Sequence, residues 1–170
     1  EEFCINHLDN NMIHLTNDAI QKKGKTYGKY EQCNKVSFSD FEKYVNTNYS
    51  KDFKMEDVIM KMKEISVLAV ESCKDKLDPE YHTQLFELFG LDFMIDSDYK
   101  VNLIEINSNP CLETPCSLLQ RIISSVLENT FHLTIDLIFP SPTKYSRKSN
   151  EILNNKKNNF DLIFKLNKNC

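Results

Sequence analysis

Apolar residues along this chain change their period twice. Between Met55 and Leu77, the positions Val58, Met62, Ile65, Ala69 and Cys73 recur at spacings of four, three, four and four. That pattern predicts an amphipathic helix ended by Asp78-Pro79. From Leu85 to Asn107, Phe, Leu, Val and Ile dominate, and the polar segment Asp96-Ser97-Asp98-Tyr99-Lys100 splits two strand-like runs into a β-hairpin. A helical period resumes at Leu119, Ile122, Ile123, Val126, Thr130, Leu133 and Leu137. It predicts a long helix capped by Thr114, opened by Pro115 and stopped by Pro140 and Pro142.

Other segments carry weaker patterns. Ile13-His14-Leu15-Thr16 predicts a short strand ending at the turn-prone Asn17-Asp18 pair. From Lys22 to Val36, Gly24 and Gly28 fall among lysines with little apolar periodicity, which predicts a mobile loop. Ser39 with Glu42 three residues later predicts a capping box opening a short helix with Phe41, Tyr44 and Val45 on its apolar face. The pattern supports an α+β or α/β layer, an antiparallel sheet packed with helices, over residues 1–142. Residues 143–170 form a Lys- and Asn-rich tail with an expected edge strand at 160–166.

Composition narrows the class. With 170 residues, 41% of them hydrophobic, the chain can bury a core, and one domain is expected. It carries no apolar run of membrane-crossing length and no signal-like start, so a soluble, intracellular protein is expected. The six cysteines include no C-x-x-C pair, which excludes a zinc ribbon and predicts free thiols in a reducing compartment. A net charge of −4 argues against general nucleic-acid binding, although Lys22, Lys23, Lys25, Lys29 and Lys35 bunch together and could meet an acidic partner. The first residue is not Met, so a longer parent protein is expected.

The hairpin carries the chemistry. Side chains alternate along a strand, so Glu105 and Asn107 share a face. A four-residue loop from Ser97 to Lys100 would set Asp92 opposite Glu105 on that face. Two facing carboxylates repel, which calls for a cation, and Mg2+ with its preference for oxygen ligands fits two carboxylates and an amide oxygen. The competing reading is a solvent-facing side of a one-sided sheet. The turn Asn107-Ser108-Asn109-Pro110 then leads to a helix start, a place that favours anions, although no P-loop glycine motif is present.

Three blocks resemble the tubulin–tyrosine ligase-like enzymes, which belong to the ATP-grasp fold. They are His14-Leu15-Thr16-Asn17 with Ile20-Gln21-Lys22, Phe86-Glu87-Leu88-Phe89-Gly90 running into Asp92-Phe93-Met94, and Leu103-Ile104-Glu105-Ile106-Asn107 ending in Asn109-Pro110. The resemblance implies the C-terminal half of an ATP-grasp fold. It implies Asp92, Glu105 and Asn107 as Mg2+ ligands and Thr16 and Asn17 as ATP contacts, while the side chain of His14 is expected to be a satisfied structural histidine. It implies a ligase that phosphorylates an acceptor carboxylate and then joins it to the amine of a free amino acid. The acceptor would be the acidic tail of tubulin, in the cytoplasm on microtubules or cilia. Tyr27-Gly28-Lys29-Tyr30-Glu31 with Asn34 and Phe38 resembles the tyrosine ligase itself, so tyrosine is the expected amino acid. Asn107 to Glu113 looks like the wider family instead, which keeps a polyglutamylase open. Lys22, Lys23 and Lys29 are candidate contacts to acidic substrate. In this family the phosphate-holding lysines precede the His-Leu-Thr-Asn block, so this chain alone is expected to bind ATP weakly. A non-catalytic tubulin-binding module is the rival, weighed against by the expectation that two facing carboxylates are buried and need a cation.

Overall fold

The computed structural model describes residues 5–77, 85–139 and 158–165. The expected strand at 13–16 is not formed: Ile13 and His14 end a one-turn helix, α1 (Asn11–His14), and Leu15 and Thr16 belong to the link to a second, α2 (Asp18–Gln21). Each is started by an asparagine: Asn10 Oδ1 accepts from the Met12 N–H at 3.1 Å, and Asn17 Oδ1 from the Ala19 N–H at 2.9 Å. The Gln21 amide donates to the carbonyls of Met12 and Leu15, using acceptors a neighbouring strand would need.

Helix α3 (Phe38–Asn48) begins two residues earlier than a cap at Ser39 would start it. Its N-cap is Ser37, whose Oγ accepts from the Asp40 N–H at 3.1 Å and donates to the Asp40 carboxylate at 2.6 Å. Glu42 is thereby freed for a longer-range duty and accepts from the Met55 N–H at 3.0 Å. That bond satisfies an orphan donor at the start of α4 (Met55–Leu77), whose bounds match the periodicity. The Asp78-Pro79 stop lies outside the described residues. Between the two helices, Asn46 clamps Phe53, accepting from its N–H at 3.0 Å and donating to its carbonyl at 2.9 Å.

Burial is concentrated where α3, α4 and the hairpin meet. Val45, Phe53, Met55, Val58 and Val101 are buried together, with Phe41, Ile59, Met62, Ile65, Phe93 and Ile95 packed around them. Phe53 receives the edge of Phe41 and the ring of Tyr99, centroids 5.8 and 4.9 Å apart. The hairpin is thus bolted to α4 through alternate residues of one face.

Strands β1 (Gly90–Ile95) and β2 (Val101–Asn107) pair antiparallel and form a two-stranded sheet. Helix α5 (Ser117–Leu133) starts later than Thr114-Pro115 suggested, with Cys116 at its N-cap. Cys116 makes no side-chain cap bond, and Gln32 Oε1 supplies one from outside by accepting from the Ser117 N–H. The helix breaks at Thr134 (φ −121°, ψ −74°), and Leu137 lies in a separate one-turn helix, α6 (Ile135–Ile138). Pro140 and Pro142 lie outside the described residues.

The edge strand expected at 160–166 is absent: residues 160–165 carry no ladder, and Leu166 lies outside the described residues. This segment is instead held by side chains, with Asp161 paired to Lys63 on α4 and Asn159 Nδ2 donating to Ser125 Oγ on α5 at 3.1 Å. The described architecture is therefore helices with a two-stranded antiparallel sheet, a partial α+β domain. Cys33, Cys73, Cys111 and Cys116 are free thiols. Among the described residues, no helix is long and apolar enough to cross a membrane.

Candidate metal and nucleotide site

Asp92 stands opposite Glu105 in the ladder, as expected, but by another route. The ladder closes at Ile95–Val101, so five residues, 96–100, separate the strands rather than four. Asp96 explains the longer loop, since its Oδ1 accepts from the N–H groups of Asp98 and Lys100, and Tyr99 adopts a left-handed φ of 61°. Carried straight along the strands, that register would pair Asp92 with Ile104 and send Glu105 to the core side. A bulge prevents this. Phe93 pairs with Leu103 and Asp92 with Glu105, leaving Ile104 as the extra residue.

The bulge gathers three polar side chains on one face. Asn107 Nδ2 donates to Glu105 Oε1 at 3.1 Å and to Asp92 Oδ2 at 3.4 Å. Desolvation, followed by a hydrogen bond with Glu105 and the charge of its carboxylate, pushes the Asp92 carboxyl above its ordinary pKa. The expectation of buried carboxylates is corrected: both residues are exposed in this chain, on the open side of the hairpin. Exposure alone suits an ordinary solvated face. What departs from that is the convergence of two like charges on one amide, which leaves a repulsion for a cation to relieve.

The donor set fits Mg2+. Two carboxylates offer hard oxygen ligands, and the Asn107 amide, turned over, presents Oδ1 in place of the N–H pair that now bridges them. Asp92, Glu105 and Asn107 could therefore hold a divalent cation while leaving positions for phosphate and water. Asn107 ends β2, and the turn behind it is set by close packing. Gly90 is its ladder partner, and a Cβ built on Gly90 would lie 2.8 Å from the Cβ of Pro110.

Thr16 is exposed, and Asn17 spends its amide oxygen on the start of α2. Thr16 borders a cavity of about 320 Å3 that Asp18, Asn34 and Lys35 also line. Among the described residues, no hydrogen bond joins Thr16 or Asn17 to the Asp92–Glu105–Asn107 trio. Lys22 is bonded to Asp18 at 2.9 Å, and Lys29 lies over the Tyr30 ring, 5.4 Å from its centroid. Lys23 is exposed. The sequence reading missed Asp18 and Gln32, which anchor the loop between the blocks. The Asp18–Lys22 spacing of one helical turn was a usable signal for the first; no local pattern announces the second.

Comparison with known proteins places the chain. Tubulin glycylase 3B of Tetrahymena thermophila is 32% identical over 135 residues, covering 79% of this chain and 11% of that protein. The inactive polyglycylase TTLL10 of Homo sapiens is 32% identical over 129 residues, 72% of this chain and 19% of that protein. The probable tubulin polyglutamylase TTLL9 of Bos taurus is 29% identical over 131 residues, 77% of this chain and 28% of that protein. The chain thus spans between 11% and 28% of the length of these relatives. The family model described as the tubulin-tyrosine ligase family matches residues 1–147, most of the sequence, and the chain belongs to that family.

Proposed function

We propose that this chain is the metal-binding part of an ATP- and Mg2+-dependent ligase that joins an amino acid to tubulin. Residues 1–142 would form the C-terminal portion of its ATP-grasp domain and residues 143–170 a tail. The observation that carries the reading is the convergence of Asp92, Glu105 and Asn107 on one face of the hairpin. When bound there, Mg2+ would offset charge building up on the transferred phosphoryl group. The chain's own part is to hold that position: β1 supplies Asp92, β2 supplies Glu105 and Asn107, and the bulge at Ile104 aligns them. Thr16 and Asn17 are the candidate nucleotide contacts.

The amino acid is revised. Tyrosine was the expectation from the loop at 27–38, but the relatives described above are named glycylases and a polyglutamylase, which supports glycine or glutamate. Tubulin as acceptor is supported by the names of the Tetrahymena and bovine relatives, and its acidic tail as the attachment point and a place on cytoplasmic microtubules are part of the proposal. The human relative named inactive keeps a non-catalytic tubulin-binding module as the second reading.

The test is incorporation by the full-length parent protein, supplied with ATP, Mg2+ and tubulin and with labelled glycine, glutamate and tyrosine in separate reactions. Glycine or glutamate incorporation, lost in Glu105→Gln, is the expected result. Tyrosine incorporation would restore the original expectation. No incorporation, with tubulin bound equally by both proteins, would leave the binding module.

A further inference from the structure

We propose that Asp18 and Gln32 are positioning residues which, through the loop at 22–36, hold the Thr16–Asn17 segment in place against the turn that follows Asn107. This rests on the metal and nucleotide reading above and adds residues that touch neither group.

The Asp18 carboxylate anchors one end of the loop. It takes Lys22 Nζ at 2.9 Å, Lys35 Nζ at 3.0 Å and Tyr27 Oη at 2.9 Å. Lys22 and then Lys35 hold its carboxyl far below the usual range, so it stays ionised and keeps all three donors. Asp18 directly follows the Thr16–Asn17 pair and opens α2, so whatever fixes it fixes that pair.

The other end of the loop reaches across the sequence. Gln32 Oε1 accepts from the Ser117 N–H at 3.3 Å and from Ser117 Oγ at 3.0 Å, capping α5. Beside it, Cys33 Sγ donates to the Pro115 carbonyl at 3.5 Å. Ser117 and Pro115 close the segment that Asn107 and Pro110 begin. The backbone is bent to make this reach, since Cys33 and Asn34 adopt left-handed φ values of 56° and 52°. Two successive non-glycine residues in that region are costly, and they persist where surrounding bonds over-determine them. Here Asn34 Oδ1 accepts from the Gly28 N–H at 2.7 Å and locks the bend.

This assignment explains why Lys22 and Lys35 are engaged internally rather than offered to an acidic substrate. Lys35 also borders two cavities, the one with Thr16 and a larger one of about 1020 Å3 bounded by Ser117 and Arg121.

The experiment uses the full-length parent protein with Asp18→Asn, Gln32→Leu, Gln32→Glu and Glu105→Gln. It measures MgADP affinity by isothermal titration calorimetry, kcat and KM for ATP, and the thermal midpoint. Gln32→Leu and Asp18→Asn should weaken MgADP binding and kcat/KM about 10- to 100-fold, the range for residues that orient ligands from behind. Gln32→Glu keeps an acceptor for both Ser117 donors and should restore binding to within about 3-fold, the margin left by a kept hydrogen bond. If Gln32→Leu lowers the midpoint too far for binding to be measured, Asp18→Asn and Gln32→Glu decide. MgADP binding at the wild-type level in Asp18→Asn and Gln32→Leu, or Gln32→Glu as impaired as Gln32→Leu, overturns the positioning role while a dead Glu105→Gln leaves the metal reading standing. Glu105→Gln binding and turning over like wild type overturns the metal reading, and the positioning role with it.

Discussion

Gly90 lies against Pro110 so closely that a Cβ on the glycine would stand 2.8 Å from the Cβ of the proline. The same glycine is the ladder partner of Asn107. One small residue therefore lets the turn after β2 fold back over β1 and keeps the third candidate ligand beside the other two.

Gly90→Ala should destabilise the protein by about 1–3 kcal/mol, the usual cost of forcing an extra methyl into a tight contact. It should weaken Mg2+ binding as well, because Pro110 must move and Asn107 is attached to it by the turn. Urea denaturation with and without Mg2+ checks both effects. Equal stability in the two proteins would mean that the turn yields freely.

Glu105→Gln removes one of two like charges directly opposed in the ladder. Without Mg2+ the variant should be more stable than wild type by about 0.2–1 kcal/mol. With saturating Mg2+ the order should reverse, because wild type gains ligand stabilisation and the variant gains little. Thermal midpoints across a Mg2+ titration read the crossing.

The Asp18 ion pairs set a pH dependence. Lys22 and Lys35 lower its pKa in the folded protein, so the stability it contributes is full above the unfolded value of about 3.9 and is lost as pH falls through the lower, folded value. The side chain is 33% exposed, so the contribution should be about 0.2–1 kcal/mol per pair. Wild type should exceed Asp18→Asn in stability by a constant margin at pH 5 to 7, as expected when the unfolded carboxyl is already ionised there. The margin should shrink towards pH 3. Denaturation curves at these values give the comparison.

Val101 is buried at the start of β2 and joins the hairpin to α4. Val101→Ala should cost about 2 kcal/mol, combining lost transfer energy with a residual cavity. Its effect should reach the site, because the hairpin presents the candidate ligands on its other face. Amide hydrogen exchange at Asp92 and Glu105 should speed up along with the loss of global stability.

Some of this architecture was legible in the order of residues alone. The bounds of α4, the existence of the hairpin, and the shared face of Glu105 and Asn107 follow from local period and local alternation, which depend on side chains a few positions apart. The rest depended on partners distant in sequence. Ser37 rather than Ser39 caps α3, which leaves Glu42 to accept from the Met55 N–H, and Gln32, distant along the chain, completes the cap where α5 starts at Ser117. The segment at 160–165 pairs with Lys63 instead of a strand edge. Most telling is the hairpin, where the Asp96 loop shifted the register by one residue and the bulge at Ile104 shifted it back. Local alternation determined which residues could meet; the closing of loops and caps by remote side chains, which only three dimensions bring within hydrogen-bond reach, decided that they do.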